Sequence, residues 1–259
     1  MLYLREFENI NQYSAYTAST DFVAPNVSYI PGLQAGEKVK YIKNKPTPTP
    51  THDYVEIGGI KWATMNIGAN SVTDKGLYFQ WGDTSGYTAA QVGSGSGKKE
   101  FLCDDYKYSF EIDGECDTSW GKYNNVDEIS VLEATDDAVT AAWGGNWRTP
   151  SKAEYETLIN ATTSAWTNNY ESSGVKGVIL TDKTDNTKKL FFPAIGMTYN
   201  GQIRYSDRAY YWTNELYLET SADFDHSWGF SAYSEKVYFD EYGENRYYGF
   251  TVRGIWADN

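Results

Sequence analysis

Few side chains in this chain could carry out acid–base or nucleophilic chemistry. Its 259 residues include only two histidines, His52 and His226. A Ser-His-Asp arrangement can be written around His226 with Asp223 or Asp225, but no G-x-S-x-G nucleophile elbow accompanies it. A contact histidine on the surface is the simpler interpretation. We therefore predict no catalytic residue and no enzymatic activity.

Adjacent carboxylates are the second source of chemistry, at Asp104-Asp105, Asp136-Asp137 and Asp240-Glu241. A glycosidase needs two carboxyl groups held on either side of a sugar at a defined separation, which sequence does not test. In a chain of formal charge −13 most of these groups are expected to face solvent. Asp223 and Asp225 could supply oxygens to Ca²⁺, but such a site needs several converging ligands. We predict neither a metal nor a cofactor.

The C-terminal segment, residues 199–253, has the composition of a binding surface. It holds ten of the chain's 23 tyrosines, interspersed with Asp, Ser, Asn and Gly. Tyrosine gives a large contact area at low entropic cost, and the small polar residues adapt their hydrogen bonding. Strand periodicity would place core aromatics on one face and ligand contacts on the other. The aromatics predicted for the core are Trp212, Trp228, Phe230, Phe239 and Phe250.

Charge and hydropathy exclude several other kinds of partner. The excess of acidic residues argues against a nucleic-acid footprint and against binding to anionic lipid. No apolar run is long enough to cross a bilayer, and the first residues lack a secretory signal. We predict no nucleic-acid partner and no membrane insertion. Cys103 and Cys116 are equally consistent with one disulfide and with two free thiols.

The sequence divides into three parts, the last of which contains the tyrosine-rich C-terminal segment. Residues 1–43 form a small anchoring or oligomerisation unit, with a short helix around Phe7, Ile10 and Tyr13 and extended chain over 21–29. Too few large aliphatics are present there for independent folding. Residues 44–52 contain KPTPTPT and read as an extended linker. Residues 53–259 form the main domain.

Two helices and several short strands are predicted in the main domain. Ser151 and Glu154 form a capping box that predicts a helix over 152–161, and Asp136 and Asp137 favour a short helix over 136–143. Turn signals and alternation predict the strands. These strands cover 54–57, 61–66, 77–83, 174–181, 189–194, 210–213, 228–232, 236–240 and 249–254.

Several blocks of the main domain resemble a known family. KWATMNIGA, GLYFQWGDT, DDAVTAAWGGNWRTPSKAEYETLI, FFPAIGMTYNG, YYWTNE and RYYGFTVRG occur in this order. They resemble variable proteins of diversity-generating retroelements from Bacteroidetes and gut phages. The resemblance covers about residues 53–255. It implies an α+β C-type lectin fold of the formylglycine-generating-enzyme type, with short strands, about two helices and long loops.

The resemblance also assigns roles along the chain. It makes Trp143, Trp147, Arg148 and Pro150 scaffold, with Tyr211 and Trp212 opening the variable segment and Phe250 and Arg253 closing it. The implied ligand-binding residues are Tyr205, Asp207, Tyr217, Asp223, Asp225, His226, Tyr238, Asp240, Tyr242, Asn245, Tyr247 and Tyr248. Adenine-directed mutagenesis does not easily reach Glu or Lys, so Glu215, Glu219, Glu235, Lys236 and Glu244 depart from the pattern. Either these positions are fixed or the segment is not diversified.

We expect a receptor-binding or adhesion protein whose partner is a bacterial surface protein or glycan. Residues 1–43 resemble the opening of structural proteins from phages of gut Bacteroidetes, which implies a place on the virion; the bacterial cell surface is the alternative. A homotrimer would add avidity. The alternatives are a carbohydrate-binding module and a degenerate formylglycine-generating enzyme. That enzyme uses a cysteine pair near its C-terminus, whereas this chain has no cysteine after Cys116.

Overall fold

The computed structural model describes residues 20–23, 38–41, 49–112, 115–117, 120–218 and 224–258. The chain divides into two compact units, residues 1–49 and 50–259. The described part of the first unit is one antiparallel pair, β1 (Thr20–Val23) with β2 (Lys38–Tyr41). The helix predicted around Phe7, Ile10 and Tyr13 lies outside the described residues, as does most of the extended stretch predicted over 21–29.

The second unit consists mainly of short strands. Its described helices are α1 (Ala138–Trp143), α2 (Lys152–Ala161) and two 3-10 turns at Ala89–Gln91 and Tyr170–Ser172. Its described strands are β3 (Tyr54–Ile57), β4 (Ile60–Asn66), β5 (Phe110–Ile112), β6 (Glu115–Asp117), β7 (Trp147–Arg148), β8 (Thr162–Thr167), β9 (Gly177–Asp182), β10 (Lys189–Pro193), β11 (Met197–Tyr199), β12 (Gln202–Arg204), β13 (Ala209–Leu216), β14 (His226–Ala232), β15 (Val237–Phe239), β16 (Glu244–Asn245) and β17 (Arg253–Trp256).

The predicted α+β fold of the C-type lectin type is wrong. Strands make up 36% of the structure and helices 11%, and the strands form several small antiparallel sheets. The physical reason is that helical periodicity with a proper N-cap occurs only at α1 and α2 among the described residues. The aromatic-rich stretches alternate with period two, which favours strands.

Two four-stranded sheets organise this unit. One has the order β3-β4-β17-β7, so β17, the last of the described strands, is central. The other has the order β13-β14-β15, with β16 also paired to β14. A three-stranded sheet, β10-β9-β8, and the two-stranded pairs β5-β6 and β11-β12 complete the described sheets of this unit.

The helix predictions for the main domain are confirmed in place. α2 begins after Ser151, whose hydroxyl accepts the Glu154 backbone N–H while the Glu154 carboxylate accepts the Ser151 N–H. Arg148 holds the same carboxylate with two hydrogen bonds of 2.6 and 2.8 Å. α1 starts two residues later than predicted, because Asp137 is its N-cap and accepts the N–H groups of Val139 and Thr140.

Some strand predictions differ from the structure. Residues 77–83 make isolated bridges at Tyr78 and Phe79 instead of a regular strand, since the chain turns at Gly82 with a φ of 75°. Residues 249–251 also make isolated bridges, to Thr198, Phe79 and Tyr211, and a regular strand begins only at β17.

Two contacts bear on the segments around the main domain. Cys103 and Cys116 form a disulfide across 13 residues, which settles the choice that the sequence left open. At the start of the second unit, the His52 ring stacks on Trp143 at 4.1 Å. The Trp147 Nε1–H donates to the Thr51 hydroxyl nearby. Thr51 and His52 therefore pack on the main domain.

Candidate functional site

The sheet of β13, β14 and β15 presents two different faces. Tyr211, Phe230 and Phe239 are directly opposite one another on the three strands. Their rings pack towards α2, where Tyr155 stacks on Phe230 at 4.7 Å. Because side chains alternate along a strand, the neighbouring residues of each strand must point the other way.

The opposite face carries two tyrosines with a serine between them. Tyr210, Ser231 and Tyr238 are cross-strand partners on β13, β14 and β15. Further along this face, Trp212 lies opposite Gly229 and stacks on Phe250 at 4.1 Å. The chain after β16 thus covers the Trp212 end of this face.

A close backbone approach brings more tyrosines to this face. Thr198 and Gly249 exchange both backbone hydrogen bonds, at 2.8 and 2.9 Å. Their neighbours Tyr199 and Tyr248 consequently meet with ring centroids 4.9 Å apart. We use the name tyrosine face for Tyr199, Tyr205, Tyr210, Tyr233, Tyr238, Tyr247 and Tyr248, which contact one another pairwise or through Arg208.

Cations of the chain already lie on these rings. The Arg208 guanidinium lies 5.1 Å from the ring centroids of both Tyr205 and Tyr233. Lys236 Nζ lies 4.2 Å from the centroid of Tyr238. Such contacts are favourable because the ring quadrupole attracts positive charge. The tyrosine face is therefore a surface that accommodates guanidinium and ammonium groups.

Glu244 is the unusual carboxyl group of this surface. It is directly opposite Ser227 in the β14–β16 pairing. A Cβ placed on Gly229 would lie 3.5 Å from Glu244 Cγ, so the side chain extends over this glycine. Burial, and secondly the negative charge of Asp240, raise the pKa of the Glu244 carboxyl to about 8. At neutral pH the group is mainly protonated.

Three phenols of the tyrosine face, those of Tyr238, Tyr247 and Tyr248, keep their protons in the same pH range. Burial raises the pKa of Tyr247 to about 12, and it also raises the pKa values of Tyr238 and Tyr248. These hydroxyl groups are consequently both donors and acceptors at any ordinary pH. The surface offers aromatic rings, neutral hydroxyls and a carboxyl group close together.

The structure separates the twelve predicted ligand-binding residues into groups. Four belong to the tyrosine face: Tyr205, Tyr238, Tyr247 and Tyr248. Asp240 borders it and accepts the backbone N–H of Tyr242, which is 65% exposed. Asp207 is exposed in the turn before Arg208. Asp223 lies outside the described residues.

The remaining four lie at the joined ends of β14 and β16. Tyr217 is 3% exposed, and its hydroxyl donates to the Glu241 carbonyl. Asp225 accepts the Trp120 indole N–H. His226 and Asn245 are cross-strand partners. Tyr217 is thus oriented into the protein, whereas Asp225, His226 and Asn245 are half-buried.

Sequence reasoning left Glu244, Tyr210, Arg208, Tyr199 and Tyr233 out of the ligand-binding set. In the sequence, Glu244 lies between two turns of a tyrosine-rich stretch, which could have marked it as a candidate. This position does not predict that β16 pairs with β14. Of the residues predicted for the core, Trp212, Trp228, Phe230 and Phe250 are buried and Phe239 is half-buried.

Three carboxylates of the adjacent pairs, Asp105, Asp136 and Asp137, have structural roles. The Asp136 carboxylate accepts hydrogen bonds from the Lys107 and Lys122 ammonium groups and from the Tyr123 hydroxyl. Burial opposes ionisation of this carboxyl group, but the two lysines hold its pKa well below the usual range. Asp137 caps α1 and accepts the Thr149 N–H and hydroxyl. Asp105 accepts the N–H groups of residues 101 and 102.

Comparison with known proteins adds nothing to this picture. Models of known protein families, curated proteins and solved structures give no match to the chain. Within the residues that the structure describes, no three His, Cys, Asp or Glu side chains converge as a metal site would require. None of the described helices is long and apolar enough to cross a membrane.

Replacing Glu244 with glutamine is expected to make stability less dependent on pH. The folded-state pKa near 8 lies above the ordinary value of 4.5, so the folded protein keeps a proton that the unfolded chain loses as the pH rises. Raising the pH therefore favours unfolding. Between pH 5 and pH 9 the wild type should lose roughly 2–4 kcal/mol more of its free energy of unfolding than Glu244→Gln does.

Urea unfolding at several pH values measures this difference. The control is Glu235→Gln, which removes an exposed carboxylate of the same segment and should follow the wild-type curve. Parallel curves for the wild type and Glu244→Gln would show that the Glu244 carboxyl is hydrated like an ordinary surface group.

Proposed function

We propose that residues 50–259 are the ligand-binding domain of a receptor-binding or adhesion protein and carry no enzymatic activity. The observation that carries the proposal is the tyrosine face, where seven tyrosines meet on one side of the sheet of β13, β14 and β15. Tyr205 is exposed, Tyr210 is buried in the core, and the other five rings are half-buried. Rigid amphipathic rings with adaptable polar neighbours are the composition of binding surfaces.

The distribution of the carboxylates is consistent with this proposal. The Asp136-Asp137 pair and Asp105 are occupied by lysines, N–H groups and hydroxyls within the fold. These three carboxylates stabilise the fold, so they do not present two free carboxyl groups to a substrate. The tyrosine face has side chains that contact a partner and no nucleophile with an adjacent base.

Display on a phage particle is the wider setting that we propose. The blocks between residues 53 and 255 resemble variable proteins of diversity-generating retroelements, and residues 1–43 resemble the opening of phage structural proteins. The first unit would attach the domain to the virion, and a trimer would raise the avidity of weak single contacts. The alternative location of this protein is the bacterial cell surface.

Capture from cell envelopes of gut Bacteroidetes tests the proposal. The wild type is compared with a variant carrying Tyr205→Ala, Tyr238→Ala and Tyr248→Ala, and we expect the variant to lose at least tenfold in capture because contacts of this kind act together. The control carries Tyr54→Ala and Phe110→Ala, which removes two exposed aromatics outside the tyrosine face.

The three proteins first need matching circular dichroism and unfolding midpoints. Equal capture by the wild type and the triple variant would refute the proposed site. Pretreating the envelopes with protease separates the two kinds of partner. Capture that survives protease but not removal of polysaccharide would favour the alternative, a carbohydrate-binding module.

A further inference from the structure

The charges around the tyrosine face are unevenly matched. Arg204 lies 5.5 Å from the ring of Tyr199, and Arg208 and Lys236 also lie on tyrosine rings. By contrast, within the described part of the chain no cationic group is within salt-bridge distance of the Glu244 or Asp240 carboxyl group. The cations of this surface therefore lie on tyrosine rings, whereas the Glu244 and Asp240 carboxyl groups have no cation beside them among the described residues.

The floor beneath Glu244 carries further groups that need partners. Ser227 and Ser231 are fully buried and lie on the same face of β14 as Gly229, over which Glu244 extends. Neither serine hydroxyl has a hydrogen-bond partner among the described residues. A buried hydroxyl without a partner costs free energy, so an incoming donor at this place gains more than it would at an ordinary surface.

The charge of the whole segment favours a positive partner. Residues 199–253 contain nine Asp and Glu against five Arg and Lys, a formal difference of four negative charges that falls to three while Glu244 is protonated. Two of the five cations, Arg246 and Arg253, are fully buried. The segment as a whole keeps a net negative charge, which would attract a cationic group.

We propose that Glu244 and Asp240 receive an arginine or lysine side chain of a protein receptor, with Tyr238 and Tyr248 beside it. This inference depends on the proposed function, because it names the partner chemistry of the same surface. The incoming cation forms an ion pair with the Glu244 carboxylate, and the carboxyl proton passes to solvent. The flanking tyrosine rings add a cation–π contact of the kind that Tyr238 already makes with Lys236.

Other charged and titratable groups around Glu244 do not change the sign of this effect. They come from each neighbouring element: Arg208 and Tyr210 at β13, His226 on β14, Tyr238 and Asp240 at β15, and Tyr248 after β16. Arg208 is associated with Tyr205, Tyr233, Tyr210 and Tyr238. Asp240 is the charged group that acts on Glu244.

The test uses n-butylguanidinium as the probe, because its charge is constant from pH 6 to pH 10. Binding to the full chain is followed by NMR of ¹³C-labelled tyrosine rings at pH 7 and pH 9. With a Glu244 pKa of about 8, the ionised fraction rises about tenfold over this range, so affinity for the probe should also rise about tenfold. Glu244→Gln should bind more weakly and without this rise, and Glu235→Gln should behave like the wild type.

Several results would overturn the inference. Affinity that is independent of pH, or a Glu244→Gln variant that matches the wild type, would show that Glu244 does not receive the cation. A neutral probe, methyl glucoside, that binds more tightly than butylguanidinium and loses affinity above pH 8 would show that the protonated carboxyl donates to a sugar.

Envelope capture at pH 9 separates this inference from the proposed function. Capture that is lost in the tyrosine variant but unchanged in Glu244→Gln overturns the cation inference and leaves the binding surface in place. Capture that the tyrosine variant retains overturns the proposed function itself.

Discussion

Replacing Arg246 with methionine is expected to lower the free energy of unfolding by roughly 3–5 kcal/mol, because several buried acceptors lose their hydrogen bonds to a charged group. Arg246 is fully buried. Its guanidinium donates to the Tyr106 hydroxyl and to the carbonyl oxygens of Lys122, Tyr123 and Phe224. The methionine side chain is unbranched like the stem of arginine, but it leaves these four oxygen acceptors without a donor.

The aromatic surroundings of Arg246 make a lysine equally unsuitable. The rings of Trp81, Tyr106, Tyr108, Trp120 and Tyr123 lie 5.1–6.0 Å from its Cζ atom. A lysine keeps the charge but loses the planar fork that reaches several acceptors. Arg246→Lys should therefore recover less than half of the lost stability.

Urea unfolding monitored by tryptophan fluorescence measures both variants. Arg208→Met is the control, since this arginine is half-buried and lies on tyrosine rings at the surface. It should cost about 1 kcal/mol or less. Similar losses at Arg208 and Arg246 would contradict the role given to the buried hydrogen bonds.

Replacing Gly249 with alanine is expected to destabilise the domain by roughly 3 kcal/mol or more, as severe overpacking does. A Cβ at this position would lie 1.9 Å from the Thr198 hydroxyl oxygen and 2.4 Å from the Phe101 ring. The clash forces the Thr198–Gly249 bridge apart, and the contact between Tyr199 and Tyr248 depends on that bridge.

The matched control is Gly121→Ala. A Cβ there first meets the tip of the exposed Phe110 ring, at 3.1 Å, which can move aside. Thermal unfolding should show a small shift for Gly121→Ala and a large one for Gly249→Ala. A folded Gly249→Ala variant with wild-type stability would mean that the backbones at Thr198 and Gly249 are not held this closely in solution.

The local parts of the fold could be predicted from the sequence. The capping box at Ser151 and Glu154 predicted α2 because all its hydrogen bonds form within one turn of the chain. Period-two alternation separated Phe230 from its neighbours, since opposite faces of a strand need no long-range information. The C-type lectin fold failed because sequence blocks that resemble a family do not determine how strands pair across the chain.

The errors at the site come from long-range pairing. Tyr217 looked like a contact residue, but the pairing of β13 with β14 shifts register between Trp212 and Leu216. Such an irregularity changes which side chains face the protein. Glu244 was set aside as an exception within a variable segment, and only the pairing of β16 with β14 shows that it is partly buried beside Asp240.

The central place of β17 has a consequence for synthesis of the protein. This strand lies between β4 and β7, and Arg253 within it donates to Asn66, 187 residues earlier. Contacts this distant in sequence form late, so a ribosome must release residues 253–256 before the sheet of β4 and β7 can close. A chain interrupted within the tyrosine-rich segment lacks that strand, so β7 has no neighbour to join it to β4 and β3.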